Sequence, residues 1–216
     1  TGFPVCGAIW YQGESNAHNP EQHAALLPAL VKSWRRQWGY EFPFYYVQLS
    51  SLDRPSWPAF RESQLELLNV IPRTGMAVSI DVGDSTNVHP RRKKEVGDRL
   101  AALALHFTYG REKVVPYGPM PQAAKVTGNE LVVSFRYVAG GLDAAGGGLR
   151  GFALVDDKGT IRPADARIKQ GKVVIPLPAG VRILQLRYGG EPFTRANLVN
   201  KAGLPAPSFM LNLNEP

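Results

Sequence analysis

The fold is decided by the stretch PVCGAIWYQGESN, residues 4–16, in which an apolar run is followed at once by amides, a carboxylate and a hydroxyl. Residues 4–10 are almost continuously apolar, as are residues 42–49 and 76–80. Such runs are typical of the strands of a parallel sheet that is buried on both faces. Because ligands of open α/β sheets bind beyond the carboxyl ends of the strands, we expect a site among the polar residues that follow these runs.

Helical periods separate the three apolar runs. The first period ends before Gly39 and the second before Pro72, and in each the apolar residues recur every three or four positions. A third helix is predicted from Pro90 to about Tyr109, with Pro90 in its first turn and Gly110 as a left-handed stop. Its expected buried stripe consists of Val96, Leu100, Leu103 and Phe107. The alternation predicts an open α/β sheet with right-handed crossovers.

The pattern changes near residue 114, where short apolar segments separated by glycine-containing turns begin. Such segments predict antiparallel strands in a sandwich-like arrangement. The predicted strands cover residues 124–128, 131–138, 151–155, 172–177 and 183–188. The tail, residues 197–216, is predicted to be irregular. We therefore expect two domains, an α/β domain at residues 1–113 and a β-rich domain at residues 114–216.

The charge of the chain does not indicate a nucleic-acid partner. Lys and Arg number 25 and Asp and Glu number 18, which gives a net charge of +7. The basic residues are dispersed, and residues 91–94, a tight basic cluster, are typical of a solvated helix face. No apolar run reaches the roughly eighteen residues of a membrane span, so no membrane association is expected. The single cysteine, Cys6, excludes an internal disulfide and is expected to be buried within its apolar run.

The loop after the first apolar run carries groups suited to acyl-transfer chemistry. The amides of Gln12 and Asn16 can donate hydrogen bonds to an oxyanion, and Gly13 allows the backbone to approach a ligand closely. Glu14 can orient an imidazole or act as a base. The alternative is that this polar turn only caps the following helix.

The loop after the third apolar run brings a histidine to a strand end. Pro90 keeps His89 out of the helical conformation, and the positive end of the predicted helix disfavours the imidazolium form. His89 is therefore a candidate general base, although it could instead cap the helix or bond nearby carbonyls. The other histidines, His18, His23 and His106, lack the spacing of metal ligands, so no metal is expected. Trp10 and Tyr11, beside the Gln12 loop, are predicted to line a pocket.

Two motifs resemble those of the sialate O-acetylesterases, which belong to the SGNH hydrolase superfamily and are similar to bacterial acetylxylan esterases. They are WYQGESN at residues 10–16 and NVHP at residues 87–90, the second followed by KEVG at residues 94–97. The resemblance implies an α/β fold with a partial SGNH-type, flavodoxin-like parallel sheet and flanking helices. Residues 1–113 would be the C-terminal part of this hydrolase domain, followed by the β-rich region.

The resemblance also implies a serine esterase that hydrolyses acetyl esters on sugars or sialic acids without a metal or organic cofactor. In such an enzyme a serine attacks the acetyl carbonyl, a histidine removes its proton, and amide donors hold the oxyanion. His89 matches the histidine, and Gln12 with Gly13 matches the oxyanion loop. A periplasmic or secreted location is implied by the resemblance alone.

The carboxylate that assists the histidine is not fixed by the motif. Many SGNH enzymes carry aspartate three residues before the histidine, where this chain has Thr86. Glu14 is the first candidate for this acid, followed by Asp84 or Asp81. Without a carboxylate partner the imidazole loses its preferred tautomer and the stabilisation of its charged form.

The nucleophilic serine of the family lies in a motif well before the Gln12 loop, and that motif is absent from this chain. Gly83-Asp84-Ser85 has the same three residue types as a nucleophile motif of the superfamily, but it does not follow the strand that carries the nucleophile there. Ser15 matches a family position that is not the nucleophile. We therefore expect the serine on an N-terminal segment or a partner chain, and expect this chain alone to be inactive. The alternatives are an acetylxylan esterase and a non-catalytic carbohydrate-binding or assembly subunit.

Overall fold

A computed structural model describes residues 2–213 of the chain. Its helices are α1 (Pro20–Trp38), α2 (Trp57–Val70) and α3 (Lys94–Leu103), with 3₁₀ turns at Glu14–Asn16 and Ile80–Val82 and a π-helical turn at Ala104–Thr108. Its strands are β1 (Ala8–Trp10), β2 (Phe44–Val47), β3 (Thr74–Ala77), β4 (Met120–Thr127), β5 (Glu130–Arg136), β6 (Leu142–Ala144), β7 (Phe152–Asp156), β8 (Ile161–Pro163), β9 (Arg167–Lys169), β10 (Lys172–Pro176), β11 (Ile183–Tyr188), β12 (Leu198–Asn200) and β13 (Phe209–Asn212). Among the described residues, none of these helices combines the length and apolar character needed to cross a membrane.

The first three strands form a parallel sheet in the order β1-β2-β3, as the alternation of apolar runs and helical periods predicted. The central strand β2 is buried at every position. The expectation that the first strand is buried on both faces is wrong, because within residues 2–213 β1 pairs with β2 alone and lies at the sheet edge. Ile9 is 69% exposed there, and Cys6, expected to be buried, is exposed because it precedes this edge strand.

The third helix begins at Lys94, not at Pro90. Residues 90–93 are not helical: the chain bends at Arg91, and the Lys93 N–H donates to the Arg91 carbonyl at 2.9 Å. Val96, Leu100 and Leu103 are buried as predicted, but Phe107 is 45% exposed. Phe107 lies in the π-helical turn, where each turn holds more residues than in an α-helix, and the apolar stripe therefore rotates away from the sheet. Gly110 ends the helix with φ 64°, as expected.

The second half of the chain folds into two four-stranded antiparallel sheets, in the orders β4-β5-β10-β9 and β13-β11-β7-β8, and a β12-β6 pair. Buried residues of both large sheets belong to one apolar cluster, as expected of a sandwich-like region. The tail was predicted to be irregular, which is wrong for its described part: it contributes β12 and β13. These strands are short, and their pairing partners β6 and β11 lie far back in the chain, so local sequence signals do not reveal them.

A buried arginine connects the α/β part to the antiparallel part. Arg61 on α2 is fully buried, and its guanidinium donates to the carbonyls of Gly189, Glu191 and Pro192 and to the hydroxyl of Ser208. The same apolar cluster contains buried residues of β2 and β3 together with residues of both antiparallel sheets. The division into domains at residues 113 and 114 stays a prediction.

Candidate active site

The Gln12 loop follows β1 and is shaped by Gly13, whose φ is 144°. A Cβ at this position would lie 2.6 Å from the Phe60 ring, so a side chain cannot be accommodated without a shift. The close approach that Gly13 allows is therefore to Phe60 in this structure. The Asn16 N–H bonds the Gly13 carbonyl at 2.9 Å, and Gln12 Nε2 donates to Asn16 Oδ1 at 2.5 Å. One amide hydrogen of Gln12 remains available for a further acceptor.

The alternative interpretation of this loop as a helix cap is not observed. Helix α1 begins at Pro20 after Asn19, and no side chain of the described residues caps it. Glu14 is half-buried in the 3₁₀ turn, and no hydrogen bond or ion pair engages its carboxylate within residues 2–213.

A cavity of about 430 Å³ borders the Gln12 loop. Its lining includes Trp10, Gln12, Asn16 and His23, whereas Tyr11 is outside it. His23 is 5% exposed, its ring centroid lies 4.5 Å from that of Phe60, and its Nδ1 has no hydrogen-bond partner in the described part of the chain. Burial lowers the pKa of His23, which favours its neutral form. Trp10 Nε1 is also buried, and no described residue bonds to it.

His23 was not predicted as a residue of this region, because the segment that precedes it, residues 17–22, is mostly polar. The signal was available in the spacing. His23, Leu27 and Val31 are four residues apart, and all three are buried on one face of α1. Extending the apolar period backward by one turn would have placed the imidazole in the interior.

The His89 loop is held together by its own polar side chains. Asp84 Oδ1 accepts hydrogen bonds from the backbone N–H groups of Thr86 and Asn87, both at 2.9 Å, and from the Thr86 hydroxyl at 3.1 Å. These bonds, the Thr86 N–H first among them, hold the pKa of Asp84 below its usual value. Asn87 Oδ1 in turn accepts from the His89 N–H at 2.9 Å. The loop therefore fixes the backbone at His89.

The imidazole of His89 is exposed, and it makes no hydrogen bond to any of residues 2–213. Because α3 starts only at Lys94, His89 lies more than one turn from the helix end, and the argument that the helix dipole keeps it neutral fails. The alternative that His89 caps the helix fails for the same reason. The ring is free to interact with groups outside the described residues.

Two contacts bring the Gln12 and His89 loops together. Tyr11 and Val88, the chain neighbours of Gln12 and His89, pack against one buried apolar cluster. The cluster consists of Ala17, Leu49, Leu52, Trp57 and Phe60. In addition, Lys93 Nζ lies 3.3 Å from Tyr11 Oη and 4.4 Å from the centre of its ring. The carboxyl ends of the strands thus place both motifs over the same group of residues.

The candidate carboxylates differ in what they already bind. Asp81 forms a bidentate ion pair with the mostly buried Arg99, with both N–O distances at 2.7 Å. Asp84 is engaged within its own loop, which leaves Glu14 as the uncommitted carboxylate of the three. Ser15 and Ser85 are exposed, and neither hydroxyl bonds a described residue. Within residues 2–213, no group of three or more His, Cys, Asp and Glu side chains is arranged to hold a metal ion.

Comparison with known proteins supports the resemblance seen in the motifs. Residues 3–106 match the family of sialic acid-specific acetylesterases among the carbohydrate esterases. The chain is 32% identical over 154 residues to sialate O-acetylesterase of Mus musculus, an alignment that covers 61% of this chain and 28% of that protein. For the Homo sapiens sialate O-acetylesterase the identity is 32% over 162 residues, covering 62% and 31%.

A crystal structure of a carbohydrate acetylesterase from Xanthomonas citri superposes on this chain with a TM-score of 0.88 and 35% identity. The superposition covers 97% of this chain and 51% of that one. The chain therefore spans about half the length of this solved relative and less than a third of the two curated relatives above. The mixed fold predicted from the sequence, a parallel sheet followed by a β-rich region, is confirmed.

Proposed function

We propose that the protein, whose residues 3–106 match the family of sialic acid-specific acetylesterases, hydrolyses acetyl esters on sugars, sialic acids included. His89 serves as the general base and Gln12 as a donor to the oxyanion. One observation carries the proposal: the chain neighbours of these two residues, Tyr11 and Val88, pack on the same apolar cluster. The loops that carry the proposed base and the proposed amide donor therefore share one apolar support, which is consistent with a common site.

The chemistry follows from the groups that are free in this arrangement. A serine hydroxyl attacks the acetyl carbonyl, its proton passes to the imidazole of His89, and the carbonyl electrons move to the oxygen. The second amide hydrogen of Gln12 stabilises that oxyanion. The sugar oxygen then leaves with the proton held by His89, and water, activated by the same imidazole, releases acetate from the serine. Glu14, whose carboxylate is uncommitted, orients the imidazole.

We place the attacking serine outside this chain, on an N-terminal segment or a partner chain. In support, the two serines nearest the motifs, Ser15 and Ser85, have no hydrogen bond to His89. The solved relative is also about twice as long as the chain. Within residues 2–213, one edge of β1 has no strand beside it, so a further strand can add there.

The test is an assay of the full-length protein with p-nitrophenyl acetate and with O-acetylated sialic acid and acetylated xylose. Replacement of His89 by Ala is expected to reduce kcat by ~10²–10⁴-fold, the usual effect of losing a positioned base. His18→Ala changes an exposed histidine that lies beyond the motif of residues 10–16 and makes no hydrogen bond to a described residue, so it serves as the matched control and is expected to leave the rate unchanged. A His89→Ala enzyme with the native rate would refute the assignment of the base. Preference for acetylated xylose would indicate an acetylxylan esterase instead.

The location of the nucleophile has its own test. A fluorophosphonate probe is expected to label the full-length protein at a serine outside these 216 residues. Stoichiometric labelling of Ser15 or Ser85, mapped by mass spectrometry, would place the nucleophile on this chain and overturn that part of the proposal.

A further inference from the structure

A second cavity, of about 600 Å³, lies in the antiparallel half of the chain. It is bordered by β7, β8, β11 and the segment of residues 189–195. Three arginines, Arg150, Arg187 and Arg195, line it, and its one acidic lining residue is Glu191. The motifs discussed above do not include any of these residues.

The positive charge of this cavity is not compensated by ion pairs. Within residues 2–213, no carboxylate lies within 4.0 Å of the guanidinium groups of these three arginines. Arg187 Nη2 donates to Gln185 Oε1 at 3.2 Å, but Arg187 Nε is buried and has no partner in the described part of the chain. A buried donor of a charged group is costly when it is unpaired, so this site is suited to a ligand that supplies an acceptor.

One further carboxylate acts on Arg187 from helix α2. Glu62 interacts with it electrostatically without a direct ion pair. Burial raises the pKa of Glu62 above its usual value, and the charges of Arg187 and Arg61 act against this shift. Neither Glu62 nor Glu191 forms an ion pair with any of the three guanidinium groups.

The walls of the cavity are fixed by contacts with the rest of the fold. Arg61 donates to three carbonyls of the 189–192 stretch, and the Leu52 N–H bonds the Pro192 carbonyl at 3.3 Å. The backbone N–H of Arg150 is held by Asn197 Oδ1 at 2.8 Å. The backbone that carries these arginines is thus positioned before any ligand arrives, which reduces the cost of binding.

We propose that this cavity binds the carboxylate of an acidic sugar. Guanidinium groups bind carboxylates with two parallel charged hydrogen bonds, and the unpaired Arg187 Nε supplies one such donor. The volume is within the range of small-ligand sites, and Phe152 and Pro163 give an apolar wall for the carbon face of a sugar ring. The arginines of the cavity indicate an anionic ligand. The further assignment to a sugar rests on the proposed function.

The experiment is calorimetric titration of the full-length protein with N-acetylneuraminic acid, with its methyl ester, and with inorganic phosphate. The acid is expected to bind at least ~10-fold more tightly than the ester, because the ester keeps the shape and lacks the charge. Equal affinity for the acid and its ester would overturn the proposal. Phosphate binding as tight as that of the acid would show a general anion site and refute the assignment to a sugar.

Variants locate the binding to this cavity. Arg187→Gln is expected to raise the Kd for the acid by ~10-fold or more, and so are Arg150→Gln and Arg195→Gln, which alter exposed side chains and leave the fold intact. Arg111→Gln, at an exposed arginine elsewhere, is the matched control and is expected to keep the native Kd. Native affinity in both Arg150→Gln and Arg195→Gln would refute the site. Titration measures binding without hydrolysis. A protein that has no esterase activity but binds the acid as expected would therefore refute the proposed function and support this inference.

Discussion

Lys93 Nζ lies 3.3 Å from the hydroxyl oxygen of Tyr11 and 4.4 Å from the centre of its ring. Tyr11 directly precedes Gln12, and Lys93 lies four residues beyond His89. This contact therefore links the segment with the amide donor to the segment with the base. Because Lys93 is exposed, the cation–π interaction is worth about 0.5–1 kcal/mol.

Loss of this contact should lower activity modestly. Lys93→Met is expected to reduce kcat/KM of the full-length protein by ~2–5-fold, because it removes the interaction with the ring as well as the hydrogen bond. Tyr11→Phe keeps the aromatic ring and should cost less. The measurement is hydrolysis of p-nitrophenyl acetate by both variants. An equal loss in Tyr11→Phe would show that the hydroxyl, not the ring, carries the contact.

Gly13 is expected to be intolerant of a side chain. Gly13→Ala should lower the free energy of unfolding by ~2 kcal/mol or more, because it combines a disfavoured φ of 144° with a Cβ 2.6 Å from the Phe60 ring. Gly39→Ala, at φ 80° in open space, should cost about 1 kcal/mol. Gly97→Ala, in the middle of α3 with open space around it, should stabilise by about 0.5–1 kcal/mol. Urea unfolding measures all three, and a Gly13→Ala protein as stable as Gly39→Ala would contradict the packing argument.

The three candidate acids should separate on substitution. Glu14→Gln is expected to reduce kcat by ~10²–10⁴-fold, as for loss of the carboxylate that orients a catalytic imidazole. Asp84→Asn should change kcat by less than about threefold, because an amide oxygen can still accept the loop hydrogen bonds. Asp81→Asn should act on stability, with a loss of about 1–3 kcal/mol, since it weakens the pair with Arg99.

Steady-state kinetics and urea unfolding of the same three proteins distinguish these outcomes. A large kinetic loss in Asp84→Asn, with Glu14→Gln near the native rate, would transfer the role of the acid to Asp84.

The protein should lose stability as the pH rises above about 10. Burial raises the pKa of Tyr46, Tyr117 and Tyr188 above the ordinary value, whereas in the unfolded chain these phenols ionise near pH ~10. Above that pH the unfolded chain binds fewer protons than the folded one, so stability falls by ~1.4 kcal/mol per pH unit for each tyrosine. Arg61 contributes a slope of the opposite sign that cancels the contribution of one tyrosine. Burial lowers its pKa to about 10 in the folded protein, so above that pH the unfolded chain holds one more proton at Arg61 than the folded one.

The net slope expected from these four groups is therefore a loss of ~3 kcal/mol per pH unit. Urea unfolding at about pH 9 and about pH 11, followed by tyrosinate absorbance, measures it. Tyr46→Phe should make the slope shallower by one tyrosine's contribution, while Tyr109→Phe, at a 59% exposed site, should leave it unchanged. Stability that rises between these pH values would refute the prediction.

The position of the two motifs of the candidate site at strand ends could be predicted from the sequence. The Gln12 and His89 motifs each follow an apolar run, and the structure puts both over one cluster at the carboxyl edge of the sheet. The three-arginine cavity could not be predicted in the same way. Arg150, Arg187 and Arg195 come from separate parts of the β-rich half, and only strand pairing brings them together.

The sequence by itself determined the succession of a parallel α/β part and an antiparallel part, the stop of α1 at Gly39, and the position of the two motifs at strand ends. These features follow from periodicity and glycine placement, which are local properties of the chain. The tertiary structure alone decided that β1 is an edge strand, that α3 begins at Lys94, and that Arg61 joins the two parts. The edge position of β1 and the bonds of Arg61 depend on contacts between residues far apart in the chain, which local sequence patterns do not encode.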